Sequence, residues 1–557
     1  MSDFYSKIGA TQDNVSITEN GAVGYKTTNH SLADFNFKVS SYRSNSRAGA
    51  IDFAKVLNEK EAYVLKYLMY LRDAREGIGE RVLFRNCLKA LADSSIADLD
   101  SIMDRMINIW IPEYGRFDDM FVLVGTKYES KVFAFVKNQL ATDFKNYQAG
   151  KSVSLLAKWM PSENASAQET VALARTFIKA LGTTPKVYRK TLSTLRAYLD
   201  VTEVKLCANE WDKVDYNAVP SKANVKYNPA FLAHDEERRR QYLNDLVRGV
   251  DKEGNVVKIN STVNTPHDVL HMYSASNGWY HLSLKAYDEA VEQLWKNLKQ
   301  MKGLKDTIVV RDDSGSMTST IGNTNITAYE VATALGIYCA EHNSDAYKNK
   351  IITFSETPRY LDFSDSRKYG SLHSKYKFLM EHSEVANTNV EAVFDLILKT
   401  AVENKLDASE LPAQILILSD MEFDSCSCTN SSRGWGHSTV DVSLFSHIAA
   451  KYAQYGYKLP KLVFWNLNSH TGTIPCKQND AGVILVSGFS QNVLSLVNSG
   501  KVDPYDALID ELSKARYEQI PLVSFEATKT ASTGRKSTRK ESKAKGSQKD
   551  SMPEFLK

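Results

Sequence analysis

The chain has 557 residues, 43% hydrophobic and 24% charged, the texture of a globular protein, which excludes a disordered or fibrous class. At about 100–200 residues per domain, this length predicts more than one folded unit. The net charge of +3 is uneven: residues 528–557 hold nine Lys and Arg against three Asp and Glu, leaving −3 on residues 1–527 and excluding a globally basic body.

In chain order, residues 1–50 mix Asn, Ser, Gly and Thr without a helical period and read as an irregular N-terminal extension. The opening MSDFYSKIGATQDN lacks the parts of a signal peptide and no stretch approaches 18 apolar residues, which predicts a cytoplasmic protein without membrane contact. From 51 to 303, EAYVLKYLMYLRDA, ERVLFRNCLKALA, LDSIMDRMINIW, SKVFAFVKNQLATDF, AQETVALARTFIKALG and KVYRKTLSTLRAYLD carry apolar residues at three- and four-residue spacing. Short helices joined by short turns predict an all-α, HEAT-like helical-repeat module. A last helix is expected in WYHLSLKAYDEAVEQLWKNLKQM, with Tyr287, Ala290, Val291, Leu294 and Leu298 on one stripe. Over 304–526 the texture changes: TIVVR, KIITFSE, QILILSD, KLVFWNL and GVILVSG read as strands alternating with helices, a doubly wound α/β domain. Residues 527–557, rich in Ser, Lys and Gly, are expected to be a disordered basic tail that attracts nucleic acid non-specifically.

Six cysteines are too sparse for a disulfide scaffold, and Cys87, Cys207 and Cys339 read as buried thiols. Cys426, Cys428 and His437 offer three zinc-type ligands, but CxC spacing and the lack of a fourth ligand favour an ordinary loop, and Trp435 and His437 read as solvated. His267 and His271 stand four apart, yet Pro266 places His267 at a helix start, where capping and packing are the expected roles.

The strongest signal is DTIVVRDDSGSM, residues 306–317. An unbroken β-branched run reads as a central parallel strand, and the loop at its carboxyl end lies where open α/β sheets bind ligands. Asp312, Ser314 and Ser316 there, with Thr388 before a helix and Asp420 ending QILILSD, form an all-oxygen set suited to Mg²⁺ or Mn²⁺. An open coordination position would accept a carboxylate from a protein partner. A haloacid-dehalogenase-like phosphatase would need a second Asp where Ser314 stands, and Asn492 replaces the second Gly of a nucleophile elbow around Ser490. Neither pattern is complete, so no enzyme activity is expected.

The set resembles the metal-ion-dependent adhesion site of von Willebrand factor type A domains: Asp312-x-Ser314-Gly315-Ser316, then a distant Thr388, then Asp420. RDAREGIGERVLFRNCL at 72–88, LLAKWMPS at 155–162, VYRKTLSTLRAYLDVTE and YNPAFLAHDEERRRQYL in turn look like the TROVE-type helical module of Ro ribonucleoproteins, a family that also joins helical repeats to a type A domain. The resemblance covers about residues 50–525. It implies a non-enzymatic protein that holds structured or misfolded RNA by its single-stranded ends. Basic residues of the matching segments, Arg72, Arg75, Arg81, Lys158, Lys186, Arg189, Lys190 and Arg196, are then the expected phosphate contacts, interleaved with aromatic Trp159, Tyr188 and Tyr198. The alternative is a metal-dependent protein-interaction scaffold without RNA.

Overall fold

The computed structural model describes residues 14–18, 23–261, 263–276, 282–354, 357–383, 389–423, 444–475, 483–499, 501, 503–523 and 552–556. It is a multidomain architecture, helical in its first half and built around a six-stranded sheet in its second. The helices follow from local rules. Pro185–Tyr198, for example, starts where Thr184 accepts a bond from the Val187 amide at 3.4 Å and Pro185 fills the first turn, and it buries Tyr188, Thr191, Leu192 and Leu195 on one face.

The sheet strands are β1 (Thr307–Asp312), β2 (Lys350–Phe354), β3 (Arg359–Asp362), β4 (Gln414–Ser419), β5 (Lys461–Asn466) and β6 (Val483–Ser487), in the order β6-β5-β4-β1-β2-β3. All pairs are parallel except β2–β3. Val309, Leu416, Val463 and Ile484 face one core, whereas Val310, Ile415, Phe464 and Leu485 face another, so both faces are covered and the strands read as apolar runs. β1 neighbours β2 on one side and β4 on the other, with Arg311 opposite Leu418. The strand order therefore reverses between β1 and β4, the switch point outside whose carboxyl ends open α/β sheets bind ligands. The antiparallel β3, RYLD, is mostly exposed and polar, so no apolar run betrays it in the sequence.

The cores cut across the expected division. Leu508, Leu512, Tyr517, Ile520 and Val523 return to pack with the helices of residues 32–195. Val214, Tyr242, Leu270 and Trp295 instead share a core with helix Ala328–Glu341 and one sheet face. The N-terminal segment is not irregular. A hairpin pairs Val15–Ile17 with Val23–Tyr25, and helix Ser31–Phe37 buries Leu32, Phe35 and Phe37. Its polar residues serve as a cap over the sheet edge: Ser40 donates to Asn466 O at 2.9 Å, Thr18 to Phe423 O at 2.6 Å, and Tyr25 exchanges two 2.8 Å backbone bonds with Ile474. The expected helix through Tyr287 begins only at Glu289, because Asp288 caps it by accepting from the Ala290 amide at 2.8 Å and Leu282–Leu284 pairs as a strand with Ser274–Ser276. Tyr287 is exposed. Of the tail, Met552–Leu556 is ordered against the helices, while residues 524–551 lie outside the described residues. Cys87 and Cys339 are buried, but Cys207 is exposed on a short helix that buries no residue. Among the described residues no helix is long and apolar enough to cross a membrane.

Candidate metal centre

Asp312 ends β1 and Asp420 follows β4, so the switch point brings two carboxylates side by side with no solvent exposure on either residue. The Ser314 amide donates to Asp312 Oδ1 at 2.8 Å, and Ser419 Oγ, next to Asp420, donates to Asp312 Oδ2 at 2.6 Å. Ser314 and Ser316 hydroxyls stand 3.1 Å apart. Asp420 Oδ1 takes a long 3.3 Å bond from the Glu422 amide, while its Oδ2 is buried without a hydrogen-bond partner. Met421, directly after it, holds φ at +66° although bulky and buried. Such strain costs about 1–3 kcal/mol and concentrates at functional sites.

Burial, and then the charge of Asp420, pushes the Asp312 carboxyl well above its ordinary range. Asp420 is raised too, first by burial and then by nearby Glu422, with Ser316 and the Glu422 amide opposing. Two buried carboxylates in contact with hydroxyls, one carrying an orphaned oxygen, could hold a hard divalent cation. Asp312, Ser314, Ser316 and Asp420 lie together at the carboxyl ends of β1 and β4. Thr388 lies outside the described residues, as do Cys426, Cys428, Trp435 and His437. Among the described residues no three His, Cys, Asp or Glu side chains cluster as metal ligands.

Sequence reasoning left Asp313 without a role and missed Arg311. Fully buried Arg311 meets Asp313 at 2.7 Å, donates to Thr333 Oγ1 at 3.1 Å and to Ser383 Oγ at 2.6 Å, and lies over the Tyr329 ring. Ser383 is thereby held against the strand end that carries Asp312. An Arg inside an apolar strand was the available signal, since buried charges are paired. Glu422 was also missed. Its carboxylate accepts from Ser469 Oγ at 3.0 Å and from the His470 and Thr471 amides at 2.9 and 3.0 Å, which fixes the loop after β5 beside Asp420.

The basic residues expected to touch phosphate are dispersed in role. Arg72 is buried and donates to Asp119 Oδ2 at 2.7 Å. Arg189 pairs with Glu163 at 2.5 Å, Lys158 with Glu203 at 3.3 Å, and exposed Arg75 lies 3.7 Å from Glu113. Arg196 donates to Ala157 O, Met160 O and Ser162 Oγ at 2.8, 2.8 and 3.0 Å, a positioning role between two helices. Lys186 and Lys190 lie exposed on helix Pro185–Tyr198. Exposed Arg81 sits close enough to Arg116 and Arg85 that, after burial, their charges lower its pKa. Arg116 in turn stacks 3.9 Å over Trp159. The RDAREGIGER loop is a joint between halves: Asn492 donates to Gly77 O at 2.9 Å, Lys299 to Arg75 O at 2.7 Å, Arg43 pairs with Glu80 at 2.6 Å, and Arg516 pairs with Asp73. A Cβ on Gly77 would lie 2.0 Å from Tyr70 O, so only glycine fits there. His267 is buried beside Thr265 Oγ1 at 2.9 Å and against Phe489, while His271 bonds Glu330 at 2.7 Å, so the two histidines have separate partners. Ser490 caps a turn by accepting from the Asn492 amide at 3.2 Å.

A helical half joined to a mostly parallel α/β sheet with a polar switch point defines the class. Residues 179–306 match DUF2828 and residues 306–543 match DUF7788, both domains of unknown function, and they meet where β1 begins. The chain is 30% identical over 544 residues to uncharacterized protein L728 of Acanthamoeba polyphaga mimivirus, covering 90% of this chain and 87% of that protein. It belongs to the same family as that viral protein.

Proposed function

We propose that this chain is a non-enzymatic binding protein of Ro-like type, with a HEAT-like helical module that holds structured RNA and a von Willebrand factor type A-like domain that holds Mg²⁺ or Mn²⁺. The observation that carries the reading is the buried Asp312–Asp420 pair at the switch point, with its orphaned Asp420 oxygen. Asp312, Ser314, Ser316, Asp420 and Thr388 would hold the ion. When bound, it neutralises the pair and offers a position to an outside carboxylate. The strand order β3-β2-β1-β4-β5-β6 with one antiparallel edge strand supports the type A assignment. For RNA, the supporting group is exposed Arg81, next to Arg116 stacked on Trp159, while Arg85 and Arg116 are already paired with Asp118 and Asp119.

A second reading, a metal-dependent protein scaffold without RNA, is favoured by the bonds that engage Arg72, Lys158, Arg189 and Arg196 within the chain. Fluorescence anisotropy of an RNA hairpin with a single-stranded 3′ tail separates the two. The first reading expects binding that survives physiological salt and Asp312→Ala. Binding that disappears at physiological salt leaves the scaffold, whose protein partner is then sought by capture in Mg²⁺ against EDTA.

A further inference from the structure

Residues 524–551 contain eight Lys and Arg and no Leu, Ile, Val or Met, yet MPEFL follows. In that pentapeptide Met552, Phe555 and Leu556 stand at i, i+3 and i+4, one face of a single helical turn. The structure folds it so: Glu554–Leu556 is a 3₁₀ turn closed by the Leu556 amide on Pro553 O at 3.0 Å. The turn lies on helix Glu129–Gln148. Leu556 is only 4% exposed and joins the core of the helical module, with Met552 and Phe555 packed against that core, while Glu554 faces solvent. The previous described anchor is Val523, whose amide bonds Ala62 O at 2.9 Å on the same module.

We propose that the surface of helix Glu129–Gln148 is a receptor for a short Met-x-x-Phe-Leu turn, occupied in cis by residues 552–556 of the same chain. So small a contact is weak by itself, because five residues bury little apolar area against the cost of ordering them. Because the turn and the surface belong to one chain, the effective concentration is on the order of millimolar, which keeps the turn seated and lets a competing segment displace it. The surface is thus a peptide-exchange site on a helix that itself carries none of the expected metal ligands or phosphate contacts.

The test uses the full chain carrying F555D and L556D together, and a fluorescent peptide of residues 549–557. The substituted chain is expected to bind the peptide at least about ten-fold more tightly than the natural chain, whose site is filled. Hydrogen exchange across residues 129–148 should rise in the substituted chain and fall again with peptide. A peptide carrying the same two substitutions should bind neither chain, which guards against a variant that merely exposes sticky surface. Equal, negligible peptide binding by both chains with unchanged exchange overturns the proposal. A natural chain that dimerises with concentration while the variant stays monomeric also overturns it, because the occupant is then a second copy.

Discussion

The sheet edge at Asp312 and the joint at residues 72–81 both bury charge, but they resolve it in opposite ways. At the joint every buried charge meets an opposite one: Arg72 and Arg85 share Asp119, Arg43 takes Glu80, and Arg516 takes Asp73. At the edge Asp312 faces Asp420, and around them stand hydroxyls, amides, the Glu422 carboxylate and the His470 ring, with no Lys or Arg among the described contacts. Paired charges close a structure, whereas like charges held together by the fold leave work for a ligand. The contrast runs within two adjacent residues, since Asp313 is neutralised by Arg311 and Asp312 is not.

The comparison can be broken most severely at the joint. Asp119→Ala strands buried Arg72 and removes a ligand of Arg85, and a loss of about 3–5 kcal/mol is expected, read as a fall in the urea midpoint. Next comes His267, whose burial lowers its pKa to about 4 from an ordinary 6.5. The folded form holds it neutral, so the stability is present above pH 6.5 and lost as pH falls toward 4, by no more than about 3 kcal/mol. His267→Gln should flatten thermal-melt midpoints across that window. At the edge, Mg²⁺ at a hundred times its dissociation constant should raise stability by about 2.7 kcal/mol. Asp312→Asn should abolish that gain and, by removing one of two like charges, raise the melting temperature in EDTA. An edge with no metal-dependent shift in the natural chain would erase the contrast. The smallest effect is expected for exposed Arg81→Ala, which should weaken RNA by about 1 kcal/mol and reduce the salt slope while leaving the melting temperature unmoved.

The α/β half was legible because buried parallel strands must be continuous apolar runs, and all five runs read as strands form β1, β2, β4, β5 and β6. β3 escaped, as an exposed edge strand needs no apolar face. The position of the oxygen-rich loop was legible because a polar Asp-x-Ser-x-Ser directly after an apolar run marks a strand end. In RDAREGIGER the sequence did not show that Arg72 already holds Asp119, since an arginine looks alike whether it awaits a phosphate or is paired within the chain.

The sequence by itself determined the helical half, five of the six sheet strands and the oxygen-rich loop, because periodicity and turn chemistry act over a few residues. Only the tertiary structure decided which charges are paired, that residues 14–44 cap the sheet edge, that Val523 and Leu556 return to the helical core, and that Asp312 is left facing Asp420. Those outcomes depend on contacts between residues hundreds of positions apart, and pairing at that range is set by packing.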